Sequence, residues 1–229
     1  MKKHLLKSGI ILFLLSLCYG VQAQDWPNLG KYANANAELK ASARNEKRVV
    51  FLGNSITEGW ITKHPEFFAN NSYINRGISG QTTPQMLVRF RADVVKLHPK
   101  VVVILGGTND IAGNTGPSTI EMIEDNLASM TEIALANNIK VVLCSVLPVY
   151  DYPWKKGLQP AEKIIALNTW IKDYCARKRI IYADYFSAMV DERHGLKAAL
   201  TYDGVHPNPE GYQIMEPLVQ KAIQKALSK

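Results

Sequence analysis

The sequence predicts an α/β fold in which one parallel sheet is covered by helices on both faces. Three observations predict it. Apolar runs of strand length alternate with helix-length segments along the chain. The runs are rich in Val and Ile and are continuous, not alternating with polar residues, as strands buried on both faces require. The intervening segments carry apolar residues at three-to-four spacing.

The expected strands are "RVVFLG" at 48–53, "SYINRG" at 72–77, "KVVVILGG" at 100–107, "IKVVLCSVLP" at 139–148 and "RIIYADYF" at 179–186. An amphipathic segment at 34–46 precedes the first of them. Pro84, Ser118 and Pro160 are suitable helix starts for the three segments between later strands. The last helix begins near Asn208, and Pro217 predicts an interruption within it. No repeat, linker or low-complexity stretch divides the chain, so residues 24–229 read as one domain.

Residues 1–23 have a different character. Lys2, Lys3 and Lys7 precede the apolar run "SGIILFLLSLCYG", which is short for a bilayer span, and "VQA" follows. This is the pattern of a secretory signal, with cleavage expected after Ala23 and export to the periplasm or medium. An uncleaved anchor, or lipidation at Cys18, is the alternative. Cleavage removes three lysines and no acid, so the formal charge falls from +7 to +4. That balance, without a basic run, gives no reason to expect nucleic acid as a partner, and no stable membrane insertion is expected after cleavage. The mature chain keeps Cys144 and Cys175, too few for a disulfide framework or a metal set. His64, His98 and His194 are scattered without partners at ligand spacing, and "GISGQTT" lacks the Gly-Lys-Ser/Thr of a phosphate loop. No metal and no organic cofactor are expected.

In a sheet of this kind ligands bind beyond the carboxyl ends of the strands. The first expected strand ends at Gly53-Asn54-Ser55, the second runs toward Gly80, and the third ends in "GGTND" with Asn109. After the fifth comes "DGVHPN" with Asp203 and His206. Each motif alone also reads as an ordinary turn or helix cap. Together they hold what acyl transfer needs. A serine hydroxyl requires a base, an imidazole serves as one, and a carboxylate fixes the imidazole tautomer. Asp203 and His206 are three apart, close enough on a turn to meet. The N–H groups of Ser55 and Gly80 and the Asn109 amide are candidate oxyanion donors.

These four blocks resemble those of the SGNH hydrolases, also called the GDSL esterase/lipase family. "FLGNSITEGW" is similar to the block carrying the nucleophile, "NRGISGQTT" and "ILGGTNDI" to those carrying the oxyanion donors, and "DGVHPNPEGY" to the block carrying acid and base. The resemblance covers about 48–215, with the blocks in family order. It implies a flavodoxin-like three-layer α/β/α sandwich with five parallel strands in order 2-1-3-4-5. It implies Ser55, His206 and Asp203 as a triad, with Ser55, Gly80 and Asn109 as the oxyanion hole. Asn54 departs from the aspartate usual at that position, which removes a charge near the nucleophile without removing the triad carboxylate. The "G-x-S-x-G" elbow of α/β-hydrolases does not fit, because Thr57 stands two residues after Ser55.

The insertion "PVYDYPWKKGLQP" at 148–160 follows the fourth strand and brings Tyr150 and Trp154 to the same edge. With Asn54 and Trp60 these are the expected substrate-binding residues, since flat aromatics with polar edges suit sugar rings. The expected substrate is a small-molecule or glycan ester, most simply an O-acetyl group on carbohydrate. Resemblance points the same way, to exported acetylesterase and platelet-activating-factor acetylhydrolase-like members. A lysophospholipase or thioesterase is the enzymatic alternative, and a non-catalytic carbohydrate-binding protein the alternative of another class.

Overall fold

The computed structural model describes residues 24–41 and 47–228. The expected signal segment therefore lies outside the described residues, as does the 42–46 portion of the segment expected to be amphipathic.

Five strands form one parallel sheet: β1 (Val49–Gly53), β2 (Tyr73–Gly77), β3 (Val101–Leu105), β4 (Lys140–Cys144) and β5 (Ile181–Ala183), in the order β2-β1-β3-β4-β5. The expected fold class and strand order are observed. The continuous apolar strands have the expected cause. Val50 and Leu52 point into one core with Met86, Phe90, Leu127 and Ile171. Val49 and Phe51 point into the other with Trp60, Phe67, Met215 and Val219. Successive side chains face opposite sides of a strand, so a strand covered on both sides must be apolar throughout.

The helices divide between the two faces. Packed on the first are α4 (Thr83–Asp93), α6 (Ile120–Ala136) and α7 (Pro160–Lys178); on the second are α2 (Ser55–Lys63), α3 (Pro65–Ala69) and α9 (Pro209–Leu227). Further helices are α1 (Ala33–Ala41), α5 (Thr108–Ile111) and α8 (Phe186–Met189). Pro84 and Pro160 lie in the first turns of α4 and α7 as expected, but α6 is capped by Thr119, whose side chain accepts from Met122 N. The expected break in the last helix is not observed: α9 continues through Pro217. The carbonyl that loses its i+4 donor belongs to Gln213, an exposed residue, so water can replace the missing bond.

Three strands end earlier than expected: β3 at Leu105, β4 at Cys144 and β5 at Ala183. β4 stops at Cys144, although the apolar run continues to Pro148. Ser145 Oγ accepts from the N–H groups of Tyr185 and Phe186, each at 2.9 Å, and Asn168 brackets Val146 by bonding both its N–H and its carbonyl. These side chains satisfy buried backbone that has left the ladder. Cys144 and Cys175 are both buried and free.

Candidate active site

The carboxyl edge of the sheet gathers the four blocks. β1 ends at Gly53, in register with Gly77 of β2 and Leu105 of β3, so the loops that follow leave side by side. Asn54 caps α2: its Oδ1 accepts from Ile56 N at 3.1 Å. Ser55 thereby begins a helix directly after a strand, where the helix dipole favours developing negative charge. α2 passes so close to β2 that a Cβ on Gly77 would lie 2.1 Å from Glu58 N.

Ser55 Oγ lies 2.9 Å from His206 Nε2, and His206 Nδ1 lies 2.7 Å from Asp203 Oδ2. Asp203 is held by more than the ring. Its Oδ1 accepts from His206 N at 2.8 Å and Val205 N at 3.0 Å, while Thr201 Oγ1 donates to the His206 carbonyl at 2.8 Å. The acid and base thus share one self-bonded turn. Partial burial would raise the Asp203 carboxyl, but these donors outweigh it and hold the group below its ordinary value.

The β2–α4 loop turns at Gly80, with φ of 77° and nothing within 4 Å of where a Cβ would sit. Asn109, buried in α5, donates from Nδ2 to the Gln81 carbonyl at 2.9 Å, which leaves a second amide proton. The loops that carry Gly80 and Asn109 are tied again by Asp110, whose Oδ1 accepts from Thr83 N at 2.9 Å and Thr83 Oγ1 at 2.6 Å. Burial pushes the Asp110 carboxyl up, and the Thr83 donors pull it partly back. Beneath both loops Arg89 is fully buried. It donates to the carbonyls of Gly53 and Arg76, each at 2.9 Å, to Gln81 Oε1 at 2.6 Å and to Asp93 at 2.9 Å. A single guanidinium therefore braces the ends of β1 and β2 and the Gly80 loop, a role the sequence reading did not assign to it.

The expected substrate-binding residues divide. Trp154 stands beside the site, its ring 6.1 Å from that of His206 and 46% exposed. Tyr150 is exposed, with Arg193 stacked 4.8 Å over its ring. Trp60 and Asn54 are buried and engaged within the protein. Trp60 is 1% exposed, stacked on Phe67 and Tyr212, with its Nε1 bonded to Glu216. It lies one turn into α2 and faces the core. Asn54 is equally buried, and its side chain serves the helix cap. Tyr152, in contrast, anchors the 148–159 loop: its hydroxyl donates to the Thr108 carbonyl at 2.8 Å, next to Asn109.

Among the described residues no three His, Cys, Asp or Glu side chains gather as a metal site, and no helix is long and apolar enough to cross a membrane.

Residues 51–214 match the model of the GDSL-like lipase/acylhydrolase family, and this match spans all four blocks. The chain belongs to that family. A solved candidate acylhydrolase from Bacteroides fragilis is 51% identical over 89% of this chain and 99% of its own, with a TM-score of 0.87. A GDSL-like lipase from Bacteroides thetaiotaomicron is 49% identical over 88% of this chain and 100% of its own, with a TM-score of 0.84. Esterase TesA of Pseudomonas aeruginosa is 28% identical over 68% of this chain and 73% of its own. As a member of this GDSL-like family the protein is a carboxylic ester hydrolase.

Proposed function

We propose that the protein is an exported serine esterase that removes short acyl groups, chiefly O-acetyl groups from carbohydrate. The observation that carries this reading is the hydrogen-bonded chain Ser55 Oγ–His206 Nε2 and His206 Nδ1–Asp203 Oδ2, at 2.9 and 2.7 Å. In the proposed cycle Ser55 Oγ attacks the ester carbonyl carbon as His206 Nε2 takes its proton. Asp203 keeps the other ring nitrogen protonated and stabilises the imidazolium. The carbonyl oxygen gains charge and is received by the N–H groups of Ser55 and Gly80 and the second Asn109 amide proton. His206 then protonates the departing alkoxide, leaving acetyl-Ser55. Water, deprotonated by His206, attacks that ester, and acetate leaves as Ser55 recovers its proton.

The carbohydrate assignment is supported by Trp154 beside His206, the group that protonates the departing alcohol, and by the polar residues around Gly80. Export rests on residues 1–23, and N-terminal analysis of protein from the culture medium or periplasm should begin at Gln24. Replacement of Ser55 by Ala is the test of mechanism. It should lower kcat on p-nitrophenyl acetate by more than about 10³-fold while the fold persists. Wild-type turnover by folded Ser55→Ala protein would refute the serine mechanism.

A further inference from the structure

Residues 24–30 precede all four blocks, yet Gln24, Asp25 and Trp26 share a pocket with Gly80. The segment is fastened along the β2–α4 loop by two glutamine side chains. Gln81 Nε2 donates to the Pro27 carbonyl and Gln85 Nε2 to the Trp26 carbonyl, each at 2.7 Å. Asp25 closes the turn by accepting from Leu29 N at 2.8 Å and Gly30 N at 2.9 Å. Lys31 pairs with Glu58, and Glu58 in turn accepts from Ser79 N at 2.6 Å, so the segment and the Gly80 loop are braced together.

These bonds fix the backbone of Trp26 and leave its indole 44% exposed. A flat aromatic held on a rigid backbone and facing water is a poor core residue and a good stacking surface. It borders an open pocket of about 440 Å³, whose other walls include Gln24, Ser79, Gly80, Asn114 and Thr115. Gly80 opens onto this pocket with no side chain to block it. Asn114 Nδ2 reaches the Gly80 carbonyl only at 3.4 Å, a long bond that a ligand oxygen can replace.

We infer that this pocket is a glycan subsite in which Trp26 stacks on a sugar ring and Gln24 and Asn114 bond its hydroxyls. The inference rests on the reading of the protein as an esterase of carbohydrate acetates. An acetyl group fills little of such a volume, so the pocket serves the rest of the substrate. An acyl chain would want a continuous apolar wall, whereas here one indole faces amides and hydroxyls. A pyranose or furanose has the matching form, an apolar face with a polar rim. Trp26 is thus a specificity residue supplied by the N-terminal segment.

The test uses the Ser55→Ala protein as a binding scaffold, titrated calorimetrically with partly O-acetylated xylo- and cello-oligosaccharides. Adding Trp26→Ala should weaken Kd about ten-fold, and Trp26→Phe should restore most of it. In the otherwise wild-type enzyme, Trp26→Ala should lower by a similar factor the ratio of kcat/KM on these acetates to that on p-nitrophenyl acetate. An unchanged ratio, whether both activities persist or both fall together, would overturn the subsite. So would the absence of saturable binding of either oligosaccharide. Failure of the esterase reading is separate: it is seen as p-nitrophenyl acetate hydrolysis that survives Ser55→Ala.

Discussion

Asn54 stands where the family usually has aspartate, and its surroundings explain why the amide suffices. An N-cap needs one acceptor oxygen aimed at the first free N–H groups, and Asn54 Oδ1 meets Ile56 N. Asn54→Ala should therefore cost about 1 kcal/mol, read as a lower midpoint in urea with an unchanged slope. Trp60 makes the opposite point. The turn of α2 aims it into the aromatic cluster of Phe51, Phe67 and Tyr212. Trp60→Ala should cost about 3–5 kcal/mol, with kcat per folded molecule little changed. A loss of kcat without loss of stability would return Trp60 to the substrate. Both residues were legible in the sequence as neighbours of the strand-end serine. Which way each side chain points was not, because α2 begins at Ser55 itself and the sequence reading had no helix there to set its faces. Asn109 Nδ2 donates to the Gln81 carbonyl of the neighbouring loop and keeps a second amide proton for the proposed oxyanion. Asn109→Ala should lower kcat about 10²–10³-fold with little change in KM. An effect confined to KM would make it a binding residue.

At the scale of elements, the site depends on loops that hold one another. Arg89 joins β1, β2 and the Gly80 loop through carbonyls that have no water to fall back on. Lysine cannot reproduce a fork that serves Gly53, Arg76, Gln81 and Asp93 together. Arg89→Lys should lower the melting temperature and reduce kcat more than it raises KM, because the proposed oxyanion donors lose their spacing. The Asp203–His206 turn has a pH signature. Its carboxyl is held below the ordinary value, so in the folded state it gives up its proton more readily than when unfolded. The stabilisation is present above the unfolded carboxyl value and is lost as pH falls through the lower folded one. Asp203→Asn should accordingly flatten the decline of melting temperature between about pH 5 and pH 2. An identical decline in both proteins would show that the turn stores no such stability. These ties were invisible in the sequence because Arg89 and Asp110 lie within or beside helical segments, where a charged residue reads as a solvated face. Only the fold buries them, Arg89 against the carbonyls of Gly53 and Arg76 and Asp110 against Thr83. Strand order, by contrast, was legible only through the four-block resemblance, which implies the family's order 2-1-3-4-5.

At the scale of the whole molecule, what the sheet edge offers an ester is a shallow, polar surface with isolated aromatics, and this bears on acyl length. Long acyl chains are held by an apolar channel beside the nucleophile, where each buried methylene adds roughly 0.8 kcal/mol. Around Gly80 the walls are polar apart from Trp26: Gln24, Asp25, Ser79, Gln81, Gln85, Asn114 and Thr115. The aromatics that could have lined a channel are engaged otherwise. Tyr152 is buried and bonded to Thr108, Tyr150 is covered on one face by Arg193, and Trp60 is in the core. Trp154 and Trp26 are left, the first tilted against Tyr152 and His206 and the second bordering the Gly80 pocket among amides and hydroxyls, and each indole makes a platform and not a tunnel. kcat/KM should therefore be higher for p-nitrophenyl acetate than for the octanoate. The comparison is sensitive, because six further methylenes in a good channel would be worth about 5 kcal/mol, several orders of magnitude in the opposite direction. A rise in kcat/KM from acetyl to octanoyl would mean that the 148–159 loop opens to form such a channel, and would favour a lysophospholipase or thioesterase over an acetylesterase.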